Sequence, residues 1–133
     1  MVDIRAMAKR TKTIALIGAS NKPERASYHV MEFLLAKGYG VHPVNPGLAG
    51  QTLLGQTVYA SLAEVPAPVD MVDIFRNTED AATVVDEAIA LKDALQIKTI
   101  WCQLGVTPRE AGARAEAAGL TFVMNRCPAI DWR

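Results

Sequence analysis

The apolar positions of this chain fall into five short segments that are almost continuously hydrophobic and do not alternate with polar residues. In chain order they are TIALIG (13–18), YGVHPVN (39–45), VDMVDIF (69–75), IKTIWCQL (97–104) and LTFVMN (120–125), of which the second is the weakest. Such runs are typical of strands that are buried on both faces of a parallel sheet. The pattern therefore predicts five parallel strands.

Three segments between these strands carry apolar residues at helical spacing. The predicted helices cover 27–37, ended by Gly38; about 77–95, with Asn77 or Thr78 at the start; and the stretch from the capping-box pattern Thr107-Pro108-Arg109-Glu110 to Gly119. A short helix is also expected over 3–10, and a long connection over 46–68 with one short helix near SLAEV. The alternation predicts a doubly wound α/β domain, with a five-stranded parallel sheet in the order 3-2-1-4-5 and helices on both faces.

Composition limits the classes of protein to which the chain can belong. Its 133 residues, 50% of them hydrophobic, fit a single domain over 1–133, with 1–12 as an N-terminal extension or short helix. Lys plus Arg and Asp plus Glu both total 14, which argues against nucleic acid or an anionic membrane as the main partner. No secretory leader or bilayer-spanning run is seen, and two cysteines are too few for a disulfide framework, so we expect a cytoplasmic protein.

Five loops should meet at the carboxyl edge of the predicted sheet, where ligands of doubly wound folds bind. They are GASNKPERAS (18–27), VNPG (44–47), FRNT (75–78), QLGVTP (103–108) and NRCP (125–128). With the predicted strand order, the switch point lies between the first and fourth strands. These loops therefore contain the candidate ligand-binding residues.

The first loop has the outline of a phosphate-binding turn. Gly18 permits a sharp turn toward the following helix, but Ser20 and Pro23 occupy the places of the second and third glycines of a G-x-G-x-x-G pattern. Ser20 offers a hydroxyl, and Lys22 and Arg25 offer positive charge. An ordinary strand-to-helix turn with solvated charges would look the same, so both interpretations stay open for this loop alone.

The ends of the second and third strands argue against a nicotinamide dinucleotide. Such a site normally has Asp or Glu after the second strand to hold the ribose hydroxyls, whereas this chain has Asn45-Pro46. Phe75-Arg76 follows the third strand, where an aromatic face and a guanidinium can flank an adenine.

Taken together, the motifs IGASNKPERASY, PVNP, VDIFRN, QLGV and NRCP resemble the stand-alone coenzyme A-binding proteins, which are related to the CoA-binding domain of succinyl-CoA ligase α subunits and NDP-forming acyl-CoA ligases. The resemblance covers the chain from about Thr13 to Pro128. It implies a Rossmann-like fold that binds the ADP portion of CoA or an acyl-CoA. The ligand-binding residues that follow from it are Gly18, Ala19, Ser20 and Arg25 at the phosphates, with Lys22 and Ser27 in the same loop; Asn45 and Pro46 in the nucleotide pocket; Phe75 and Arg76 at the adenine or ribose; and Gln103 and Gly105 along the crevice.

The resemblance does not bring a reaction with it, because the catalytic machinery of the ligases lies in other domains. We expect structural or solvated roles for His29 and His42, a structural hydrogen bond for Asp73, and no metal site. Cys102 and Cys127 should both lie at the ligand edge, and their reactivity stays open. The prediction is non-catalytic CoA binding, with a small NAD(P)-dependent oxidoreductase or a ligand-free protein–protein interaction module as alternatives. A protein partner or a homodimer is compatible with each.

Overall fold

The computed structural model describes residues 3–133 and contains, over that range, seven strands and five helices. The helices are α1 (Ile4–Arg10), α2 (Ala26–Ala36), α3 (Thr78–Leu95), α4 (Arg109–Ala117) and α5 (Pro128–Asp131). The strands are β1 (Thr13–Ile17), β2 (Gly40–Val44), β3 (Thr52–Leu53), β4 (Gln56–Thr57), β5 (Met71–Ile74), β6 (Thr99–Cys102) and β7 (Thr121–Val123). The five predicted strands correspond to β1, β2, β5, β6 and β7, and the three predicted main helices correspond to α2, α3 and α4.

The five long strands form one parallel sheet in the order β2-β1-β5-β6-β7, and β3 and β4 form a separate antiparallel hairpin. Apolar residues of α3 and α4 pack on one face of the sheet, and those of α1, α2 and α5 pack on the other. The predicted doubly wound α/β class is confirmed. No helix of residues 3–133 combines the length and the hydrophobicity that crossing a bilayer would require.

The segments fill the predicted 3-2-1-4-5 pattern with one difference. The run at 69–75 was expected in the third position, outside β2, but its strand, β5, pairs with β1 and so takes the fourth position, and β6 and β7 each lie one position further out. The third position is held by Tyr59 alone, which forms an isolated parallel bridge with Val44. The Tyr59 N–H donates to the Pro43 carbonyl (2.9 Å), and its carbonyl accepts from the Asn45 N–H (2.9 Å). The switch point therefore lies between β1 and β5.

The predicted helix ends are confirmed for α2 and α3 and corrected for α4. Gly38 follows α2 with φ +95°, and the Asn77 side chain caps α3 by accepting from the Asp80 N–H (2.8 Å). The predicted capping box before α4 does not form, since that helix begins at Arg109 without a side-chain cap. The Thr107 N–H donates instead to the Thr78 hydroxyl (3.1 Å), which ties the α4 entrance to the start of α3.

Candidate functional site

A cleft of about 340 Å³ opens at the carboxyl ends of β1 and β5, at the switch point of the sheet. Its volume falls in the range of small-molecule sites. Six of the residues predicted to bind ligand line it, together with Ala26. The lining residues are Gly18, Ser20, Lys22, Arg25, Ala26, Ser27 and Phe75.

Gly18 brings the first loop into close contact with the loop after β5. Its φ is +87°, and a Cβ at this position would collide with the carbonyl oxygen of Phe75 and lie 3.2 Å from Cδ of Arg76. The N–H groups of Gly18 and Ala19 both donate to the Val44 carbonyl, at 3.0 and 3.2 Å. These two amides therefore hold the loop against β2, and any phosphate must find its donors elsewhere. Ala19 itself is buried.

Suitable donors lie at the far end of the first loop, at the start of α2. No side chain caps this helix, and the N–H groups of Ala26 and Ser27 have no acceptor among residues 3–133. Unpaired first-turn amides and the positive end of the helix dipole favour an anion at this point. The Ser27 side chain is buried against the cleft.

Ser20, Lys22 and Arg25 form a compact turn around this helix end. The Lys22 N–H donates to the Ser20 hydroxyl oxygen (3.1 Å), and the Arg25 N–H donates to the Lys22 carbonyl (3.0 Å). Both cations are exposed, and no carboxylate of residues 3–133 forms an ion pair with either one. Their charges are therefore available to an anion in the cleft.

The predicted pocket residues after β2 have a positioning role in this structure. The Asn45 side-chain amide donates to the Ala19 carbonyl (2.8 Å), and its oxygen accepts from the Gly47 N–H (2.8 Å). Pro46 is exposed and begins a short 3-10 turn. Asn45 thus joins the loops after β1 and β2, and its oxygen is engaged within the protein.

The loop after β5 contributes one wall of the cleft. Phe75 is half-buried and lines the cleft, and its N–H donates to the Ile17 carbonyl (2.8 Å). Arg76 is exposed beside it, and its Nη2 lies 3.1 Å from Oδ2 of Asp80. This ion pair weakens the attraction of Arg76 for an anionic ligand. The Phe75 ring therefore lines the same cleft as the free amides at the start of α2 and the Lys22 and Arg25 side chains.

Gln103 and Gly105 follow β6 and lie outside the cleft lining. Gln103 is buried, and its Oε1 accepts no hydrogen bond from residues 3–133. Gly105 has φ +82°, and its N–H donates to the Asn125 side chain (2.8 Å), which ties the loops after β6 and β7 together. The two residues border the same edge of the sheet as the cleft.

Asp73 is a buried carboxyl group in the middle of the sheet, and the structural hydrogen bond expected for it does not form within the described part of the chain. It is fully buried on β5 between Leu16 and Trp101 in register, and neither oxygen has a partner among residues 3–133. Desolvation raises the pKa of Asp73 well above its ordinary value. The one sequence signal was a carboxylate inside an otherwise apolar strand.

The two cysteines are buried in different hydrophobic cores. Cys102 packs on the α3 and α4 side of the sheet, and Cys127 packs on the other side. Burial, with a smaller contribution from Asp73, raises the pKa of the Cys102 thiol to about 12. This thiol is therefore protonated at neutral pH and is a poor nucleophile.

The histidines lie apart from the cleft. His29 is exposed on α2, 3.8 Å from Glu32. His42 is half-buried on β2 with its ring edge-on to Tyr59, and desolvation lowers its pKa. Within residues 3–133 no three His, Cys, Asp or Glu residues are grouped as a metal ion requires.

The structure is a doubly wound α/β domain with a cleft at its switch point that favours anions. Comparison with known proteins specifies the family: the CoA binding domain model matches residues 12–133, and the chain belongs to this family.

Three similar proteins support this assignment. The Bacillus subtilis protein YneT is 33% identical over 125 residues, which is 94% of this chain and 88% of YneT. A solved structure from Pyrococcus horikoshii OT3 is 40% identical with a TM-score of 0.88, covering 97% of this chain and 87% of that one. The α subunit of the ADP-forming acetate–CoA ligase I of Pyrococcus furiosus is 35% identical over 80 residues, 57% of this chain but 17% of the subunit.

Proposed function

We propose that this protein binds coenzyme A or an acyl-CoA without transforming it, and that the ADP portion of the ligand occupies the cleft between β1 and β5. The observation that carries the proposal is the combination of two cations, Lys22 and Arg25, that form no ion pair within residues 3–133, with the uncapped start of α2. A diphosphate suits this combination, because free N–H groups, the helix dipole and side-chain charges all act on the same anion. Membership of the CoA-binding family makes CoA the phosphate-bearing ligand to expect.

The remaining parts of the ligand follow from the same placement. The half-buried Phe75 ring, on the wall of the cleft, is available to stack on the adenine. The pantetheine arm then runs along the carboxyl edge toward Gln103 and Gly105. A nicotinamide dinucleotide fits less well, because no carboxylate follows β2 to bind ribose hydroxyls and the Asn45 oxygen is already engaged.

The non-catalytic part of the proposal is supported by the state of the Cys102 thiol, which lies at the end of β6 on the same edge of the sheet as the cleft. Cys102 is buried and its raised pKa keeps the thiol protonated at neutral pH. Incubation with acetyl-CoA should therefore release no free CoA above the rate of a buffer blank, as measured by thiol titration. Release that scales with protein concentration would contradict this part of the proposal and leave the binding part standing.

Isothermal titration with CoA, acetyl-CoA, dephospho-CoA, NAD and NADP tests the binding proposal directly. CoA or acetyl-CoA should bind more tightly than either nicotinamide cofactor. Tighter binding of NAD or NADP than of every CoA species would overturn the assignment. Binding of none of the five ligands would favour a protein–protein interaction module instead.

Arg25→Ala should weaken CoA binding about tenfold or more, since a charge-assisted hydrogen bond contributes about 1.5–3 kcal/mol and every 1.4 kcal/mol is a factor of ten. The melting temperature should hardly change, because Arg25 is exposed. Titration calorimetry and a thermal melt on the same sample measure both quantities.

Lys98→Ala is the matched control, because it removes one exposed cation at the opposite, amino edge of the sheet, just before β6. It should bind CoA as tightly as the unmodified protein. Equal affinity of the Arg25 and Lys98 variants would show that the first loop does not hold the phosphates. Ser20→Gly is a companion variant that removes a hydroxyl and moves the loop toward the dinucleotide pattern.

A further inference from the structure

A second cleft, of about 310 Å³, lies at the opposite edge of the sheet between α1, α2 and the end of the chain. Tyr39, which immediately precedes β2, and Lys37, which follows α2, belong to its lining, so it opens at the amino ends of the strands. The carboxyl-edge cleft and this one share no residue. The full lining is Arg5, Ala8, Lys9, Lys37, Tyr39, Asp131, Trp132 and Arg133.

The charge of this second cleft is strongly one-sided, although the chain as a whole has equal numbers of cations and anions. Four cations line the cleft, and none of them forms an ion pair with a carboxylate of residues 3–133. The single acidic side chain of the lining is that of Asp131, whose Oδ1 lies 3.4 Å from Nη1 of Arg126, a cation outside the cleft that partly balances its charge. The cleft therefore attracts anions.

Helix dipoles explain only part of this clustering. Lys9 lies in the last turn of α1 and Lys37 at the end of α2, where cations are favourable in any protein. Arg5 lies in the first turn of α1, where the dipole disfavours a cation, and Arg133 lies beyond α5. The dipoles therefore do not explain why Arg5 and Arg133 join the two lysines at this cleft.

The wall of the second cleft also holds an unsatisfied donor. Trp132 is 6% exposed, and its indole N–H has no acceptor among residues 3–133. Its ring packs against the Tyr39 ring, with a distance of 5.2 Å between the ring centroids, and edge-on to the Trp101 ring, with a centroid distance of 5.6 Å. In contrast, the Trp101 indole N–H donates to the Arg126 carbonyl (2.8 Å), as a buried donor normally does. Trp132 lines the cleft, so a ligand bound there would change the surroundings of this indole N–H.

We propose that this second cleft is a binding site for a small phosphate ester with an apolar body, separate from the CoA site. The phosphate lies among Arg5, Lys9 and Lys37, whose donors suit its oxygens. The apolar part packs against the Tyr39 and Trp132 rings. A soluble metabolite and a phospholipid headgroup share this chemistry, and the experiment separates them.

The test uses phenyl phosphate as the probe and the two indole N–H signals in a ¹H–¹⁵N correlation spectrum of the full chain as the readout. The Trp132 signal should shift on titration, whereas the Trp101 signal, which is already hydrogen-bonded, should move much less. A Trp132→Phe variant assigns the signals. Phenol, which has the ring without the phosphate, should cause no saturable shift.

Arg5→Ala should raise the dissociation constant for phenyl phosphate about tenfold. Arg109→Ala is the matched control, an exposed first-turn arginine on α4, and should leave it unchanged. A Trp132 signal that does not respond to phenyl phosphate, or that responds equally in both variants, would overturn the proposal. So would binding of a polyglutamate peptide without binding of phenyl phosphate, which would indicate a protein-docking surface.

Vesicles identify the source of the phosphate. Co-sedimentation with phosphatidic acid vesicles but not with phosphatidylcholine vesicles, lost in Arg5→Ala, would assign the site to a lipid headgroup. Phenyl phosphate binding without co-sedimentation would assign it to a soluble phosphate ester. Because none of these assays contains CoA, the result is independent of whether the carboxyl-edge cleft binds CoA.

Discussion

Gly18→Ala is expected to lower the free energy of unfolding by about 2–5 kcal/mol, the sum of a left-handed backbone cost and a steric one. The residue has φ +87°, which an L side chain rarely adopts. An added methyl group would also collide with the backbone oxygen of Phe75, which cannot move aside as the end of a flexible side chain could. Urea unfolding followed by circular dichroism measures the loss. Any fraction that remains folded should bind CoA poorly, because the loops after β1 and β5 are forced apart.

Gly38→Ala is the control that separates the two costs. Gly38 has φ +95°, but nothing lies within 4 Å of the position that a Cβ would take. We expect it to lose only about 1–2 kcal/mol, from the backbone conformation alone. Equal losses for the Gly18 and Gly38 variants would mean that the two loops do not meet as closely as the structure shows.

Asp73→Asn is expected to stabilise the protein near neutral pH by about 1 kcal/mol or more, because it replaces a buried carboxyl group, which must stay protonated in the folded chain, with a side chain that does not ionise. Burial raises the pKa of Asp73 well above its ordinary value of 3.8. Below that value both the folded and unfolded chains hold the proton, and the penalty is absent. Above it the unfolded chain releases the proton while the folded chain keeps it, so stability falls as the pH rises.

The advantage of the Asp73→Asn variant over the unmodified protein should therefore grow from about pH 4 upward, with a slope of up to about 1.4 kcal/mol per pH unit. Urea unfolding at a series of pH values measures it. Asp93→Asn is the control, since that side chain is 93% exposed, and it should show no such growth. A pH-independent difference between the Asp73→Asn variant and the parent protein would mean that Asp73 ionises normally in the folded state.

The secondary structure was predictable because short stretches of the sequence mark both the buried strands and the helix ends. Uninterrupted apolar runs marked the strands, and Gly38 and Asn77 marked helix ends at which a left-handed residue or a capping side chain was needed. The sequence did not reveal which segment takes the third position of the sheet. It depends on where the 46–68 connection returns, and Tyr59 closes the edge of β2 through backbone bonds that side-chain patterns do not encode.

The loops that line the cleft were predictable from the sequence, but the individual hydrogen bonds within them were not. The family motifs contain Ser20, Lys22, Arg25 and Phe75, and the structure places all four around the same cleft. They did not reveal that the Gly18 and Ala19 amides are taken by Val44, since a carbonyl partner from another strand leaves no trace in the first loop. Likewise, Thr107 matched a capping box, but its N–H is held by Thr78, at the start of a different helix.

The backbone bonds at Tyr59 also bear on how copies of this domain meet in solution. An edge strand with free N–H and carbonyl groups is a template for pairing with another chain and for aggregation. Tyr59 occupies the Pro43 carbonyl and the Asn45 amide at the outer edge of β2, and the strand at the opposite edge, β7, spans only Thr121–Val123. The sheet therefore offers little room for intermolecular strand addition, and two copies that associate should do so through their helices.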